Sequence, residues 1–290
     1  MLNYQAVKAW PFVDVAQSYT RRDTMLYALG IGIGYDPVDA GQLRYVYERD
    51  LQAVPTMVAV LGSQAGWLRD PRSGADYVKL VHGEQRVHVL QALLAEDAIV
   101  GRERIESITD RGAGKGAVVV TKREIRRASD QSLVATSTAV LVLRGDGGFS
   151  AETGVSDPAP PPLPRVPERK PDIEVTLPTL PQAALIYRLS GDYNPLHAEP
   201  AIAGAAGFAR PILHGLCSFG VAAHAVLKTC CDYDSSRIRS VSMRFAAPVY
   251  PGESLRFELW RDGPRRVHVR ALIDSRGIEV LSNGLVELSG

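Results

Sequence analysis

One short segment of the chain concentrates side chains that could move protons. Residues 190–200 read SGDYNPLHAEP and carry Asp192, Asn194 and His197 close together. A carboxylate and an imidazole on one loop can share the proton transfers that add water to a double bond. Asn194 could orient that water or brace the loop. The alternative, in which Asp192 only caps a turn and His197 lies on the surface, stays open at this point.

A second segment, RPILHGL at residues 210–216, could supply a backbone donor. Pro211 suits the start of a helix, where the following amides have no partner in the helix. Gly215 would let a ligand approach the backbone, and its N–H could bind a thioester oxygen as negative charge develops there. His214, a lone histidine on an apolar helix, is interpreted as structural rather than as a third catalytic group.

The elements that must position these residues occur twice. LYALG at 26–30 closes a helical pattern from about Thr20, and IYRLSG at 186–191 closes one from about Leu180, with the glycine suited to a left-handed helix cap. An apolar stretch rich in small residues follows in each half, at 56–68 and 212–227, and several strands come after it. The nearly constant offset indicates duplication of one unit.

The strands are predicted from alternation of polar and apolar residues at 117–127, 255–260 and 269–274. A long helix followed by antiparallel strands fits an α+β layer in which the sheet wraps around the helix. We therefore expect a long apolar helix in each half, with a curved sheet packed against it.

A proline-rich segment separates the two halves. Residues 158–171 read PAPPPLPRVPERKP and contain seven prolines, which exclude a helix interior or a central strand. The predicted division is a first half at 1–150, a linker at 151–175 and a second half at 176–290.

The composition sets limits on the class of protein. The 290 residues carry a net charge of +1, so no extended field for nucleic acid is expected. Cys217, Cys230 and Cys231 fit neither a disulfide framework nor a CxxC metal site. The N-terminal residues do not resemble a signal peptide, and no run of about 18 apolar residues occurs. A cytoplasmic protein without membrane insertion is expected.

Residues 187–220 and 26–34 resemble the type 2 (R-specific) enoyl-CoA hydratases of the MaoC-like group, which include the hydratase part of peroxisomal multifunctional β-oxidation enzymes. The resemblance spans nearly the whole chain. It implies a double hot dog fold, with two long helices each wrapped by an antiparallel β-sheet. It also implies syn hydration of trans-2-enoyl-CoA to (3R)-3-hydroxyacyl-CoA, no metal or redox cofactor, and a homodimer.

The resemblance also assigns roles to single residues. Asp192 and His197 would be the catalytic pair, Asn194 would help to place the water, and the Gly215 amide would hold the thioester oxygen. The first half departs from this pattern, because its matching segment GIGIGYDP (30–37) offers only Asp36, and Val58-Ala59 face the HG pair. We expect the first half to be non-catalytic and to shelter the acyl tail.

Several alternatives remain at the level of sequence. A thioesterase would need a carboxylate on the central helix, and residues 212–229 contain none. A non-catalytic acyl-CoA binding subunit would not need the acid and the imidazole. A dehydratase for a bulky polyketide, steroid or bile-acid thioester differs only in its substrate. The candidates for binding the CoA phosphates, each also typical of a solvated surface, are Arg210, Arg237, Arg239, Arg244 and Arg265-Arg266.

Overall fold

The computed structural model describes residues 2–289, and one antiparallel sheet of ten strands dominates it. The strands are β1 (Val15–Tyr19), β2 (Leu80–Val89), β3 (Asp97–Asp110), β4 (Ala117–Arg127), β5 (Leu133–Leu143), β6 (Ile173–Pro178), β7 (Ile238–Phe245), β8 (Ser254–Asp262), β9 (Arg266–Ile273) and β10 (Ile278–Leu288). The strands predicted from alternation are confirmed, since β4, β8 and β9 cover them to within one residue.

The strand order shows that the chain is built from one unit used twice. Across the sheet the order is β1-β3-β4-β5-β2-β7-β10-β9-β8-β6. Read from each outer edge inward, the first half runs 1-3-4-5-2 and the second half runs 6-8-9-10-7, which is the same order shifted by five strands. The halves join at β2 and β7, which pair antiparallel with Glu84 opposite Arg244. The duplication predicted from the sequence is confirmed.

Seven α-helices within residues 2–289 accompany the sheet. They are α1 (Tyr4–Lys8), α2 (Arg21–Gly30), α3 (Ala40–Val46), α4 (Phe149–Thr153), α5 (Ala183–Tyr187), α6 (Pro200–Ala205) and α7 (Gly215–Cys230). Helix α2 begins as predicted, because Thr20 and Asp23 form a reciprocal capping box at its N-terminus. No helix within residues 2–289 is both long enough and apolar enough to cross a bilayer.

Helix α7 is the central helix of the fold. All residues from Cys217 to Leu227 are buried, so the helix is enclosed on every side rather than along one stripe. Small residues allow the close approach: a side chain at Gly220 would overlap the Cγ2 atom of Ile31, which follows α2. The core around α7 continues into both halves of the sheet without interruption.

The double hot dog arrangement is confirmed, with one difference in its first half. The apolar stretch at 56–68, expected to form a long helix, contains only parts of two short 3-10 helices, Pro55–Ala59 and Trp67–Arg69. Two features prevent a longer helix in this stretch. The Arg123 guanidinium donates a hydrogen bond to the Ala59 carbonyl at 2.7 Å, and Gly62 has a left-handed φ of +59° where it packs on Gly101. A helix could not continue through that glycine conformation.

The start of α7 also differs from the prediction. The helix begins at Gly215 and not at Pro211, because the Leu213 N–H donates to the Val249 carbonyl at 2.7 Å and holds the preceding residues in an extended conformation.

The proline-rich segment follows the surface of the sheet. No helix or strand lies between Thr153 and Ile173, although β6 begins inside the range predicted as a linker. The carbonyl oxygens of Pro161 and Leu163 accept hydrogen bonds from Arg86 and Asn283. These contacts tie the segment to one strand of each half. The division of the chain at 150 and 175 stays a prediction.

Candidate active site

The loop that follows α5 brings an acid and an amide to one place. A 3-10 turn after α5 ends at Gly191, whose φ of +118° is the left-handed conformation predicted for this position. The Asp192 Oδ1 then accepts the Asn194 N–H at 3.1 Å, and the Asn194 Oδ1 accepts the Leu196 N–H at 3.1 Å. Both side chains therefore brace the loop. The second carboxylate oxygen of Asp192 and the Nδ2 of Asn194 form no hydrogen bond within residues 2–289.

His197 lies inside the protein and not on its surface. Its exposed fraction is 8%, and its Nδ1 lies 2.8 Å from the Ile212 carbonyl oxygen. Because a carbonyl only accepts, Nδ1 carries the proton and the neutral ring presents a lone pair at Nε2. Burial lowers the pKa of His197 below its usual 6.5, against smaller opposing effects of the Ile212 bond and the Asp192 charge. The ring is thus a hydrogen-bond acceptor at neutral pH.

The first turn of α7 supplies a free backbone donor. The His214 carbonyl accepts the N–H groups of Cys217 and Ser218 at 3.0 and 3.2 Å, and the Gly215 N–H meets no acceptor within residues 2–289. A free amide at the positive end of a 16-residue helix is well placed to hold an anionic oxygen. The Phe245 ring would lie 3.3 Å from a Cβ at Gly215, so a larger residue would crowd this position.

His214 belongs to the same cluster. Potential ligand atoms of Asp192, His197 and His214 all lie within 4.8 Å of one another. The two imidazoles are stacked, with centroids 3.7 Å apart and planes 28° from parallel. A metal ion lies in the plane of each imidazole that binds it, at about 2.0–2.1 Å from the nitrogen. Nearly parallel rings do not direct their lone pairs at one point, so this arrangement suits proton transfer better than metal binding.

Sequence reasoning missed a histidine that the first half contributes. His82 in β2 lies against Phe245 with centroids 5.0 Å apart, and the negative charge of Asp192 acts on it. Burial lowers the pKa of His82 to about 4. A β-bulge between His82 and Glu84 interrupts the regular pairing of β2 with β5 at this point. Only the pairing of β2 with β7 brings His82 here, so no local pattern in the sequence could reveal it.

The six arginines considered for binding the CoA phosphates lie in different parts of the structure. Arg210 lies just before the extended segment that leads to His214, with its guanidinium 5.1 Å from the centre of the Tyr250 ring. Arg244 alternates with Met243 and Phe245, which point into the core, so its side chain lies on the opposite face of the sheet. Arg237 and Arg239 lie at the start of β7, at the junction between the halves, whereas Arg265 lies in the β8–β9 turn and Arg266 begins β9.

Arg188 is a further cation that the sequence did not single out. Its guanidinium lies 5.0 Å from the centre of the Tyr193 ring, beside Asp192, and its positive charge contributes to lowering the pKa of His214. No carboxylate pairs with Arg188 within the described residues. Along the chain, Arg188 precedes the loop that carries Asp192 and Arg210 follows it.

Comparison with known proteins places the chain in a family. Residues 17–145 match the MFE-2 hydratase 2 N-terminal domain, and residues 163–276 match the MaoC like domain. The peroxisomal enoyl-CoA hydratase 2 of Arabidopsis thaliana is 34% identical over 99% of this chain and 96% of its own length. The 3-hydroxyacyl-thioester dehydratase Y of Mycobacterium tuberculosis is 38% identical over 93% of this chain and 92% of its own length.

A solved structure agrees with this result. The MaoC-like dehydratase from Phytophthora capsici superposes with a TM-score of 0.84 at 31% identity, covering 99% of each chain. The fold and the site define a MaoC-like double hot dog enzyme. The chain belongs to the enoyl-CoA hydratase 2 family.

Proposed function

We propose that the protein hydrates trans-2-enoyl-CoA to (3R)-3-hydroxyacyl-CoA by reversible syn addition. One observation carries the proposal: the Asp192 carboxylate lies in one cluster with the His197 and His214 imidazoles, and the Gly215 amide, unpaired within residues 2–289, directly follows His214 along the chain. An enoyl thioester needs these three functions, namely two acceptors for a water molecule and a donor for the carbonyl oxygen. The names of the family relatives support the same reaction.

In the proposed mechanism Gly215 and His197 hold the reactants, and Asp192 both takes and delivers a proton. The Gly215 N–H holds the thioester oxygen, so electron density moves from the double bond toward the carbonyl and the β-carbon becomes electrophilic. His197 accepts a hydrogen bond from the water and orients it, with Asn194 beside it. Asp192 takes one proton as the water oxygen bonds to the β-carbon. The protonated Asp192 then delivers a proton to the α-carbon on the same face.

We propose that the first half receives the acyl tail. First-half residues reach the site where β2 pairs with β7, because His82 packs against Phe245 and the charge of Asp192 acts on His82. A tail that leaves the site on this side would meet the first half of the chain. A cavity of about 240 Å³ that Val89 and Ile238 line lies at the opposite ends of the same two strands, so it is not the space proposed for the tail.

The acyl-tail proposal is tested by photolabelling. A ten-carbon trans-2-enoyl-CoA with a diazirine at the end of its acyl chain should, on irradiation, label residues 1–150, and an excess of unlabelled ten-carbon substrate should prevent the labelling. Labelling confined to residues 176–290 would contradict the proposal.

The hydration reaction is tested directly with purified protein. The assay follows loss of the enoyl-thioester absorbance with crotonyl-CoA and with ten-carbon trans-2-enoyl-CoA. The product is then offered to a (3R)-specific and to a (3S)-specific 3-hydroxyacyl-CoA dehydrogenase. We expect consumption of the enoyl-CoA and oxidation of the product only by the (3R)-specific enzyme. A (3S) product would contradict the stereochemistry, and no reaction with either substrate would contradict hydration of simple chains.

Dehydration of a bulkier 3-hydroxyacyl thioester is the second candidate, favoured by the similarity to a 3-hydroxyacyl-thioester dehydratase. This dehydration would use the same residues, with the steps of the hydration in reverse order. Water release from a (3R)-3-hydroxyacyl-CoA with a steroid side chain, at a rate above that of straight-chain substrates, would assign this substrate class.

We further propose that the protein works as a cytoplasmic homodimer without a metal or redox cofactor. Light scattering should give twice the chain mass of 31.4 kDa. A monomer mass would contradict the dimer. Activity should survive treatment with EDTA, and loss that zinc restores would contradict the metal-free reaction.

A further inference from the structure

His214 contacts three separate parts of the site. Its ring stacks on His197 with centroids 3.7 Å apart, and its Nε2 lies 3.1 Å from the Asp192 carbonyl oxygen. Its own carbonyl oxygen, next to Gly215, accepts hydrogen bonds from the first N–H groups of α7. The exposed fraction of His214 is 1%. One buried residue therefore joins the acid, the imidazole and the backbone donor.

The contacts of His214 fix the state of its ring. Because the Asp192 carbonyl only accepts, the Nε2 of His214 carries the proton. Its Nδ1 is buried and has no hydrogen-bond partner within residues 2–289. A second proton there would be an unpaired buried charge.

The surroundings of the His214 ring lower its pKa overall. Burial is the main effect that lowers its pKa to about 4, and the charges of His197 and Arg188 lower it further. Asp192 opposes them, and the Tyr187 ring packs 5.1 Å away. His214 is therefore neutral at pH 7, and its ring is not a charged competitor for the proton that Asp192 takes from the water.

We infer that His214 is a positioning residue of the proposed hydration, which fixes the plane of the His197 ring by stacking and the position of Asp192 by its hydrogen bond. The inference rests on the proposed function for the reaction that it serves, and on the structure for the contacts. A histidine is suited to this role because it combines a flat face with one edge donor and does not carry a charge at neutral pH.

Two substitutions separate the two contacts. His214→Phe keeps a flat ring and loses the N–H that holds Asp192, whereas His214→Gln keeps a donor and loses the ring that stacks on His197. We expect each to lower kcat for crotonyl-CoA by roughly 10- to 100-fold, the cost of misplacing a catalytic group by about 1 Å. KM should stay within about threefold, because neither variant touches the groups that bind CoA. His88→Phe, on an exposed position of β2, is the matched control.

A second readout does not depend on turnover. The midpoint at which the His197 ring takes up a proton can be followed by NMR. In His214→Gln it should rise toward 6.5, since loss of the stacked ring admits water, and in His214→Phe it should stay within about 0.3 pH units of the wild type.

The outcomes distinguish this inference from the proposed function. If the wild type hydrates no enoyl-CoA, the proposed function fails, and the His197 titration alone decides whether His214 controls that ring. An unchanged titration in folded His214→Gln overturns the inference. So does an unchanged kcat in both variants when the wild type is active, because a merely structural histidine would change stability and leave the turnover of the folded enzyme intact.

Discussion

At the scale of single residues, burial sets the protonation of the His197 imidazole. His197 is buried, its Nδ1 is tied to the Ile212 carbonyl, and its pKa lies below 6.5. The lone pair at Nε2 is present at neutral pH and is lost when the ring takes a second proton. The proposed water-orienting role therefore requires the deprotonated ring.

The deprotonated state of the His197 ring leads to a prediction for how hydration depends on pH. As the pH falls through the pKa of His197, kcat/KM for crotonyl-CoA should fall with it, and the midpoint of that loss should lie below 6.5. Initial rates between pH 4.5 and 8.5 measure the midpoint, with return to pH 7.5 as the control for unfolding. A rate that rises as the pH falls through this range would show that the ring works in its protonated form.

Two cations near the loop give a prediction for CoA recognition. Arg210→Ala should raise KM for crotonyl-CoA by up to about fivefold, the range for an exposed ion pair, and leave KM for crotonyl-pantetheine unchanged. Arg188 is expected to behave in the same way. Arg261→Ala, on the distant end of β8, is the control. An equal rise with the phosphate-free substrate would exclude a role at the phosphates.

Local patterns predicted the residues of the loop well and their distant contacts poorly. The glycine cap and the asparagine turn follow from short-range rules, and both are present at Gly191 and Asn194. The Asp192–His197 association is also local. His214 and His82 reach the site through the start of α7 and through the strand pairing at the junction, and spacing along the chain does not encode either contact.

At the scale of elements, the close packing of α7 explains its small residues. A side chain at Gly220 would overlap Ile31, whereas a methyl group added at Gly204 in α6 would meet nothing within 4 Å. The two glycines lie in helices with opposite surroundings. Substitution by alanine should therefore have opposite effects.

We predict that Gly220→Ala lowers the free energy of unfolding by about 1–3 kcal/mol, because overpacking outweighs the gain in helix propensity. Gly204→Ala should raise it by up to about 1 kcal/mol, since propensity acts there alone. Urea denaturation at pH 7.5 measures both. Stabilisation by Gly220→Ala would show that α2 and α7 are not packed as described.

Segments in which polar and apolar residues alternate were predicted more accurately than continuous apolar stretches. β4 extends over the whole alternating run from Ala117 to Arg127. The stretch at 56–68 has helical composition, yet the chain leaves the helix after Ala59 because Gly62 adopts a left-handed conformation and Arg123 caps the turn. The glycine was visible in the sequence, whereas the arginine comes from a different strand.

At the scale of the whole molecule, buried histidines couple stability to pH. Burial lowers the pKa of His82, His214 and His224 to about 4. The unfolded chain takes up these protons near 6.5, before the native state does, so stability is full above 6.5 and declines as the pH falls toward 4. Each histidine contributes a slope of up to about 1.4 kcal/mol per pH unit.

We predict that the free energy of unfolding falls between pH 7.5 and 5.0, and that His224→Phe reduces the slope. His224 bonds to the Tyr233 hydroxyl at 3.0 Å and lies outside the catalytic cluster. Urea denaturation at several pH values measures the slope in each protein. A flat profile in the wild type would contradict the neutral state of these rings.

The overall architecture was the most predictable level. Repeated segments at a constant offset indicated two copies of one unit, and the strand order repeats in the same way. The sequence did not show that the sheets would join through β2 and β7 or that the core would run through both halves. Those features depend on edge pairing between distant strands, for which neither half carries a local signal.

The measurement that tests the central claim most directly is the rate of crotonyl-CoA hydration by Asp192→Asn and His197→Ala, beside the wild type and His88→Ala. Asparagine keeps the size of Asp192 and removes its ability to take a proton. The account predicts that each catalytic variant stays folded and loses at least about 100-fold in kcat, while the control keeps the wild-type rate. Wild-type rates in either folded catalytic variant would contradict the assignment of these residues to the reaction.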